Sequence, residues 1–391
     1  MRTFLALLLL SCATFLQAAD YNKSANGITI TLDNQADEAV KLVKLQVIND
    51  NIIRVVATPE AQFPNKQSLI IVPQKAKADY TVTEEDGNII VKTKNVQAVV
   101  DKKTGRITFK DASGKTLLDE AANGGKTFKR FAVPENEVGV GTLNDKESNA
   151  WSWRMLFNSP DDEAFYGLGQ HQSEDINYKG VNEELFQYNT KVSVPFVVSN
   201  KNYGVLWDSY SYCRWGNPDD YQQLSKAFKV YNRGGSRGGL TVTYKDPSGK
   251  KIVREEDSVY YDHAFELERL PKELQLDGSK VTFEGFIEAP TDCNYRWLAY
   301  YSGYVRMFID NKEVVTERWR TAWNPNSYKF ICPLQKGKKT PIRIEWEPDG
   351  GAAYCSLRAA TPLSEQEQGM MSVWSEMSRD MDYYFIAGKN A

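Results

Sequence analysis

Beyond residue 26, apolar and polar residues alternate with a period of two along most of the chain. Gly27-Ile-Thr-Ile-Thr-Leu32 and Lys44-Leu-Gln-Val-Ile48 put every second side chain on one apolar face, as a half-buried strand requires. Ile53-Arg-Val-Val-Ala57 is a more continuous apolar run and predicts a strand covered on both faces. Glu85-Asp-Gly-Asn88 separates Thr81–Thr83 from Ile89–Lys92, and Asp111-Ala-Ser-Gly114 follows Ile107–Phe109; both predict hairpin turns. A new strand set starts at Leu240-Thr-Val-Thr-Tyr244 and lasts to about Ala359. The aromatic run Asp382-Tyr-Tyr-Phe-Ile-Ala387 predicts one more strand. Helical periodicity is scarce. Many short strands at this spacing predict an all-β protein of the sandwich class.

One stretch departs from this pattern. Asn232-Arg-Gly-Gly-Ser-Arg-Gly-Gly239 is basic, flexible and poor in apolar residues, and it reads as a boundary. The polar segment Pro362–Gly369 leads from the second strand set back to the aromatic strand. The expected organisation is one sandwich over 20–235, a second inserted over 236–361, and a return to the first over 362–391. A chain of 391 residues is long enough for two cores.

Residues 1–19 read as a secretory signal: Arg2, an apolar run Phe4–Leu10, and small residues at Gln17-Ala18-Ala19. The expected location is therefore periplasmic or secreted. Leu9-Leu10-Ser11-Cys12 loosely fits a lipidation box, which makes a lipid anchor the alternative. No other segment is long and apolar enough for a membrane span. A formal net charge of -3 argues against a nucleic-acid partner, which calls for a basic face.

The candidate chemistry is sparse. Two histidines, His171 and His263, rule out a multi-histidine metal centre and leave few routes to a Ser-His-Asp triad. Cys213, Cys293, Cys332 and Cys355 lack metal spacing and read as buried small apolar residues. Gly167-Leu-Gly169 lacks the rest of a dinucleotide fingerprint. With 51 acidic residues, no acid/base pair is distinguished by position. An aromatic content of 12% serves either cross-strand core pairs or flat faces for sugar stacking, and composition leaves both open.

Two segments carry a family resemblance. Phe165-Tyr-Gly-Leu-Gly-Gln-His171 is followed by Leu185-Phe-Gln-Tyr-Asn-Thr190, Val194-Pro-Phe196 and Tyr203-Gly-Val-Leu-Trp-Asp208. That order resembles the N-terminal, galactose-mutarotase-like β-sandwich of glycoside hydrolase family 31, which holds α-glucosidases and α-xylosidases. The second is Tyr301-Ser-Gly-Tyr-Val-Arg-Met-Phe-Ile-Asp-Asn-Lys-Glu-Val-Val315, with Trp319-Arg-Thr-Ala-Trp-Asn-Pro325 and Ile342-Arg-Ile-Glu-Trp346 after it. It is similar to the sandwich module named after anthrax protective antigen. Members of that module that bind sugars through calcium carry consecutive aspartates where Tyr301-Ser302 stand here. Calcium prefers carboxylates, so no metal and no other cofactor is expected.

The combination resembles exported α-xylosidases that trim xyloglucan oligosaccharides, and this implies a xyloglucan-type oligosaccharide ligand. Enzymes of that family retain anomeric configuration through two aspartates roughly 5 Å apart, both on a (β/α)8 barrel of roughly 250 residues. The resemblance places that barrel after the strand Asp382–Ala387. The chain is therefore expected to be the non-catalytic N-terminal portion, with no catalytic residue of its own and a barrel encoded downstream as partner. The resemblance assigns rim contacts to Asn189 and Thr190, where a turn and strand end is the structural alternative. Trp319, Arg320 and Trp323 are candidates for sugar binding in the inserted module, or for packing against the first sandwich. A free-standing exported carbohydrate-binding or adhesin-like protein is the alternative function, and a module of a larger surface assembly is a third.

Overall fold

The computed structural model describes residues 21–73, 79–122, 125–131, 150–171, 173, 175–187, 191–219, 221–261, 266–322, 326–349, 353–360, 363–364 and 366–388. The signal segment 1–19 and the candidates Asn189, Thr190 and Trp323 lie outside them. The regular secondary structure of the described residues is nearly all strand, as the alternation predicts.

The first sandwich packs two antiparallel sheets face to face. One runs, in spatial order, through Tyr21–Ser24, Gly27–Thr31, Leu42–Asn49, Ile52–Thr58, Met381–Ala387, Tyr203–Trp207, Val192–Ser199 and Phe165–Gln170. The other includes Thr81–Glu85, Asn88–Lys92, Val96–Asp101, Ile107–Asp111, Trp151–Asn158, Cys213–Trp215 and Met371–Ser378. Their inner faces share one core, where Phe109 of one sheet stacks on Phe385 of the other with ring centres 4.2 Å apart. Fully burying such a ring contributes about 1.5–3 kcal/mol. The predicted turn at Asp86-Gly87 closes the first hairpin with both residues at positive φ, 49° and 79°, which matches the right-handed strand twist.

The aromatic strand Met381–Ala387 lies in the middle of its sheet, between Ile52–Thr58 and Tyr203–Trp207. Met381, Tyr383 and Phe385 enter the core. Asp382 faces the other way, yet it is fully buried under Arg54, which donates to both carboxylate oxygens at 2.9 and 2.6 Å. Lys66 adds a contact at 3.2 Å. This explains why Ile53–Ala57 reads as covered on both faces: the second cover is a paired charge network rather than apolar packing.

The second sandwich has a separate core, from Leu224 to Ala359, containing Trp297, Tyr301 and Trp346. Tyr301 and Ser302 are buried, and Ser302 is engaged: its carbonyl accepts from the Trp346 indole at 2.8 Å and its hydroxyl accepts from the Tyr354 amide at 2.9 Å.

Pairing explains how one sandwich sits inside the other. The incoming strand Gln222–Gln223 pairs with the outgoing strand Cys355–Ala360, Gln222 opposite Ala359. On the host side Cys213–Trp215 pairs with Met371–Ser378, Trp215 opposite Val373. The second sandwich therefore occupies the connection between two neighbouring host strands, which is where a long insertion disturbs the sheet least.

The glycine-rich stretch takes a different role from the one its composition suggested. Lys229–Asn232 and Leu240–Lys245 flank it and both pair with Lys280–Glu288. It is a turn inside the second sandwich, whose core already contains Leu224, Phe228 and Val230. The cores change over between Trp215 and Leu224, not at 235/236. Glycine and charge mark a solvated turn as readily as a linker, and only the pairing partners distinguish them.

Candidate functional site

The Tyr166-Gly-Leu-Gly169 segment is a bulge in the strand Phe165–Gln170. Its pairing with Val192–Ser199 shifts register between Gly167 and Gly169. All three of Gly167, Leu168 and Gly169 have positive φ, 120°, 64° and 100°. A Cβ on Gly169 would lie 1.9 Å from the Val192 carbonyl oxygen, so only glycine fits. Leu168 tolerates the left-handed conformation because its side chain is fully buried. The bulge turns the Leu168 carbonyl towards His171, whose Nε2–H donates to it at 2.8 Å. That bond leaves Nδ1 facing Glu183, 3.9 Å from Oε1.

Glu183 is buried and joins the two sandwiches. Its Oε1 accepts from the Lys329 ammonium at 2.9 Å, and Lys329 also donates to the Asn182 carbonyl at 3.3 Å. Lys329 belongs to Asn326–Leu334, in the second sandwich. Burial, the largest single influence, lowers the pKa of its ammonium, but the Glu183 charge and hydrogen bond together with Tyr221 and Glu184 hold it above the usual lysine value.

Above this ion pair lies a cleft of about 490 Å³ between the sandwiches. Asp175, Val181 and Asn182 form the wall from the first sandwich. Arg296, Arg318, Arg320 and the strand segment Ser327–Ile331 form the opposite wall, with Tyr221 at the neck. The Arg318 guanidinium carbon lies 3.7 Å from the centre of the Tyr328 ring, within cation–π range. Burial pushes the Arg296 pKa down and the Tyr221 pKa up.

Trp319 and Arg320 are sequence neighbours with opposite environments. Trp319 pairs with Tyr304 across the strands and lies on the outer face with it, the rings 6.5 Å apart. Its indole N–H donates to Asp349 Oδ2 at 2.8 Å, and the side chain stays 47% exposed. Arg320, on the alternate face, lines the cleft. The flanks of Asn189-Thr190 are in place: Gln187 exchanges hydrogen bonds with the Ser193 backbone, and Lys191 rests over the Phe186 ring. The Lys191 pKa is lowered first by burial and then by the nearby charge of Lys329, so this segment adjoins the same corner of the molecule.

Glu183, Arg296, Arg318, Tyr328 and Lys329 escaped the sequence reading. Lys329 offers one weak signal, a lysine amid Tyr328, Phe330 and Ile331, but nothing local points to a carboxylate 146 positions away. Among the described residues no three His, Cys, Asp or Glu side chains converge as metal ligands.

Residues 42–215 match the family described as the glycosyl hydrolase 31 N-terminal galactose mutarotase-like domain. This part of the chain is similar to that domain. It contains the bulge, Glu183 and the first wall of the cleft. The chain is 29% identical over 180 residues to an alpha-xylosidase of Saccharolobus solfataricus, covering 43% of this chain and 22% of that protein. It is 27% identical over 177 residues to an uncharacterized family 31 glucosidase of Pseudescherichia vulneris, covering 43% of this chain and 33% of that protein. The crystal structure of the family 31 alpha-xylosidase of Xanthomonas citri superposes with a TM-score of 0.84 at 35% identity, over 94% of this chain and 38% of that one. The matched stretch thus spans a third or less of the two curated relatives, and the likeness to the Xanthomonas citri enzyme continues well past residue 215.

Proposed function

We propose that this chain is the non-catalytic N-terminal portion of an exported retaining α-glycosidase of the α-xylosidase type, and that it supplies sugar contacts and the rim of the substrate cleft for xyloglucan oligosaccharides. The observation that carries this reading is the likeness to the Xanthomonas citri alpha-xylosidase, which takes in 94% of this chain but 38% of that enzyme. In this reading the second sandwich is the protective-antigen-type module, the neighbourhood of Asn189 and Thr190 contributes to the rim, and both catalytic carboxylates belong to a barrel that acts as partner. The bulge supports it physically: a strained backbone that only glycine permits is maintained where a loop must be aimed.

The expected outcome is that the polypeptide 1–391 releases no product from an aryl α-xyloside above background, yet binds a xyloglucan oligosaccharide by isothermal titration. Turnover by the purified chain would refute the first half, and a flat titration the second.

The exposed Trp319–Tyr304 pair favours a second reading, an exported carbohydrate-binding protein that uses this outer face by itself. An indole fixed by Asp349 presents a rigid apolar face suited to the C–H face of a pyranose. Under this reading Trp319→Ala abolishes oligosaccharide binding; under the first, contacts at the rim keep it.

A further inference from the structure

The strand Glu183–Leu185 is thinly supported by its own sheet. It lies at the sheet edge and, among the described strands, pairs with Cys213–Trp215 alone. So short an edge strand is weakly held by its ladder. Glu183 and Leu185 share its buried face, opposite Trp215 and Cys213. Leu185 packs into the first core with both of them. At Glu183 the same face carries a carboxylate, where an apolar side chain would hold the strand down with no help from outside. A buried carboxylate requires a cation. Among the described residues Lys329 is the one lysine or arginine that reaches it, at 2.9 Å, and it comes from the second sandwich.

Alternation places Lys329 for this. Tyr328 and Phe330 pack against the second core, so Lys329 between them points away from it, towards the first sandwich. Its cross-strand partner Leu298 is buried on the same side. The ammonium also donates to the Asn182 carbonyl at 3.3 Å, so it grips the main chain just before the strand as well as the strand itself. The hold is passed on. Beyond Leu185 the chain crosses to the other sheet, and this crossover is tied across its base. Gln187 exchanges bonds of 3.2 and 3.3 Å with Ser193, and the Lys191 ammonium lies 4.8 Å from the centre of the Phe186 ring. Phe186 in turn meets Tyr212, whose hydroxyl donates to Glu184 at 2.8 Å. These ties fix both flanks to the strand, and Lys329 fixes the strand to the second sandwich.

From this we propose that Lys329 is a positioning residue for sugar binding: through Glu183 the inserted sandwich holds the edge strand, and with it the flanks of Asn189 and Thr190, in the orientation that an oligosaccharide meets. The proposal rests on the rim reading above and deepens it. It gives the inserted sandwich a role that involves no sugar contact of its own. Flanks that are loose before binding must be ordered by the ligand, at a loss of affinity, whereas flanks already held need no such ordering. Affinity at the rim then depends on a lysine that touches no sugar.

The test is isothermal titration of the 391-residue chain with a neutral xyloglucan oligosaccharide, paired with amide hydrogen exchange over 184–187 and 191–193 and with thermal melts. Lys329→Met should weaken binding about tenfold and raise exchange in those segments about tenfold or more. The deciding variant is Glu183→Gln/Lys329→Met, which carries the test even where Lys329→Met alone does not fold. It removes the buried charge together with its partner, so its melting temperature should return most of the way to wild type. Its affinity and protection should stay low, because nothing ties the strand to the second sandwich. Lys329→Arg, which keeps a cation, should retain most of both. Lys338→Met, which breaks the exposed pair with Asp310 in the same sandwich, should change neither. If the double variant regains affinity along with its melting temperature, Lys329 serves stability only, and this proposal fails while the sugar-binding reading stands. If exchange rises but affinity does not fall, the rim assignment of Asn189 and Thr190 fails together with the proposal. Absence of binding by the wild-type chain overturns the sugar-binding reading and this proposal with it.

Discussion

Glu183 and Lys329 are 146 positions apart in the chain and 2.9 Å apart in space. A buried ion pair contributes little over an apolar pair of the same shape, but removing one partner leaves a bare charge in a poorly solvated place. Lys329→Met should therefore destabilise the protein by about 3–5 kcal/mol in denaturant titration. The double variant Glu183→Gln/Lys329→Met should recover much of that loss, and strictly additive losses would show that the two side chains do not act together. The pH dependence has a definite sign. Because the Lys329 pKa is raised on folding, its stabilisation is complete below the unfolded value of 10.5 and fades as pH rises through the higher native value. The gap between wild type and Lys329→Met should accordingly hold steady up to about pH 10 and narrow in alkaline solution, as followed by thermal melts.

Strands and turns were the most legible layer, because alternation and Asp-Gly or Asn-Gly chemistry act over a few residues. The Asp86-Gly87 turn and the strands Gly27–Thr31, Ile52–Thr58, Leu240–Lys245 and Met381–Ala387 lie where the pattern puts them. Two glycines separate conformational cost from steric cost. Gly87, at φ 79°, has nothing within 4 Å of an added Cβ, so Gly87→Ala should cost about 1–2 kcal/mol from backbone strain alone. At Gly169 the same change also drives a methyl into the Val192 carbonyl. Gly169→Ala should cost at least about 3 kcal/mol and break the register between Phe165–Gln170 and Val192–Ser199. Equal midpoints for the two variants in urea unfolding would contradict this. The glycine-rich turn 232–239 was harder to place. A turn and a linker share their composition, and strand pairing 40 or more positions downstream decided between them. Period-two alternation likewise implies that Trp319 and Arg320 point apart, but which of the two faces a cleft depends on the sheet that lies opposite.

At the scale of the molecule the two cores share no residue: one is built from 28–215 and 371–385, the other from 224–359. They meet through the paired neck at Gln222 and Ala359 and through the Glu183–Lys329 bridge. Separate cores predict separable unfolding. Phe283→Ala, a change that costs about 3–5 kcal/mol in a packed core, should raise amide hydrogen exchange across Leu240–Lys245 and Lys280–Glu288. Amides of Met381–Ala387 should stay protected; uniform loss would show a single cooperative unit. The all-β class and the positions of the strands are legible along the chain because they follow from short-range periodicity and turn chemistry, and the order of motifs that resemble a family 31 N-terminal sandwich is legible as a resemblance. Only the tertiary structure decided where one core ends and the other begins, which side of a strand faces a cavity, and that three arginines collect opposite Asp175. Those outcomes depend on which distant strands pair, and neighbours along the chain carry no record of that choice.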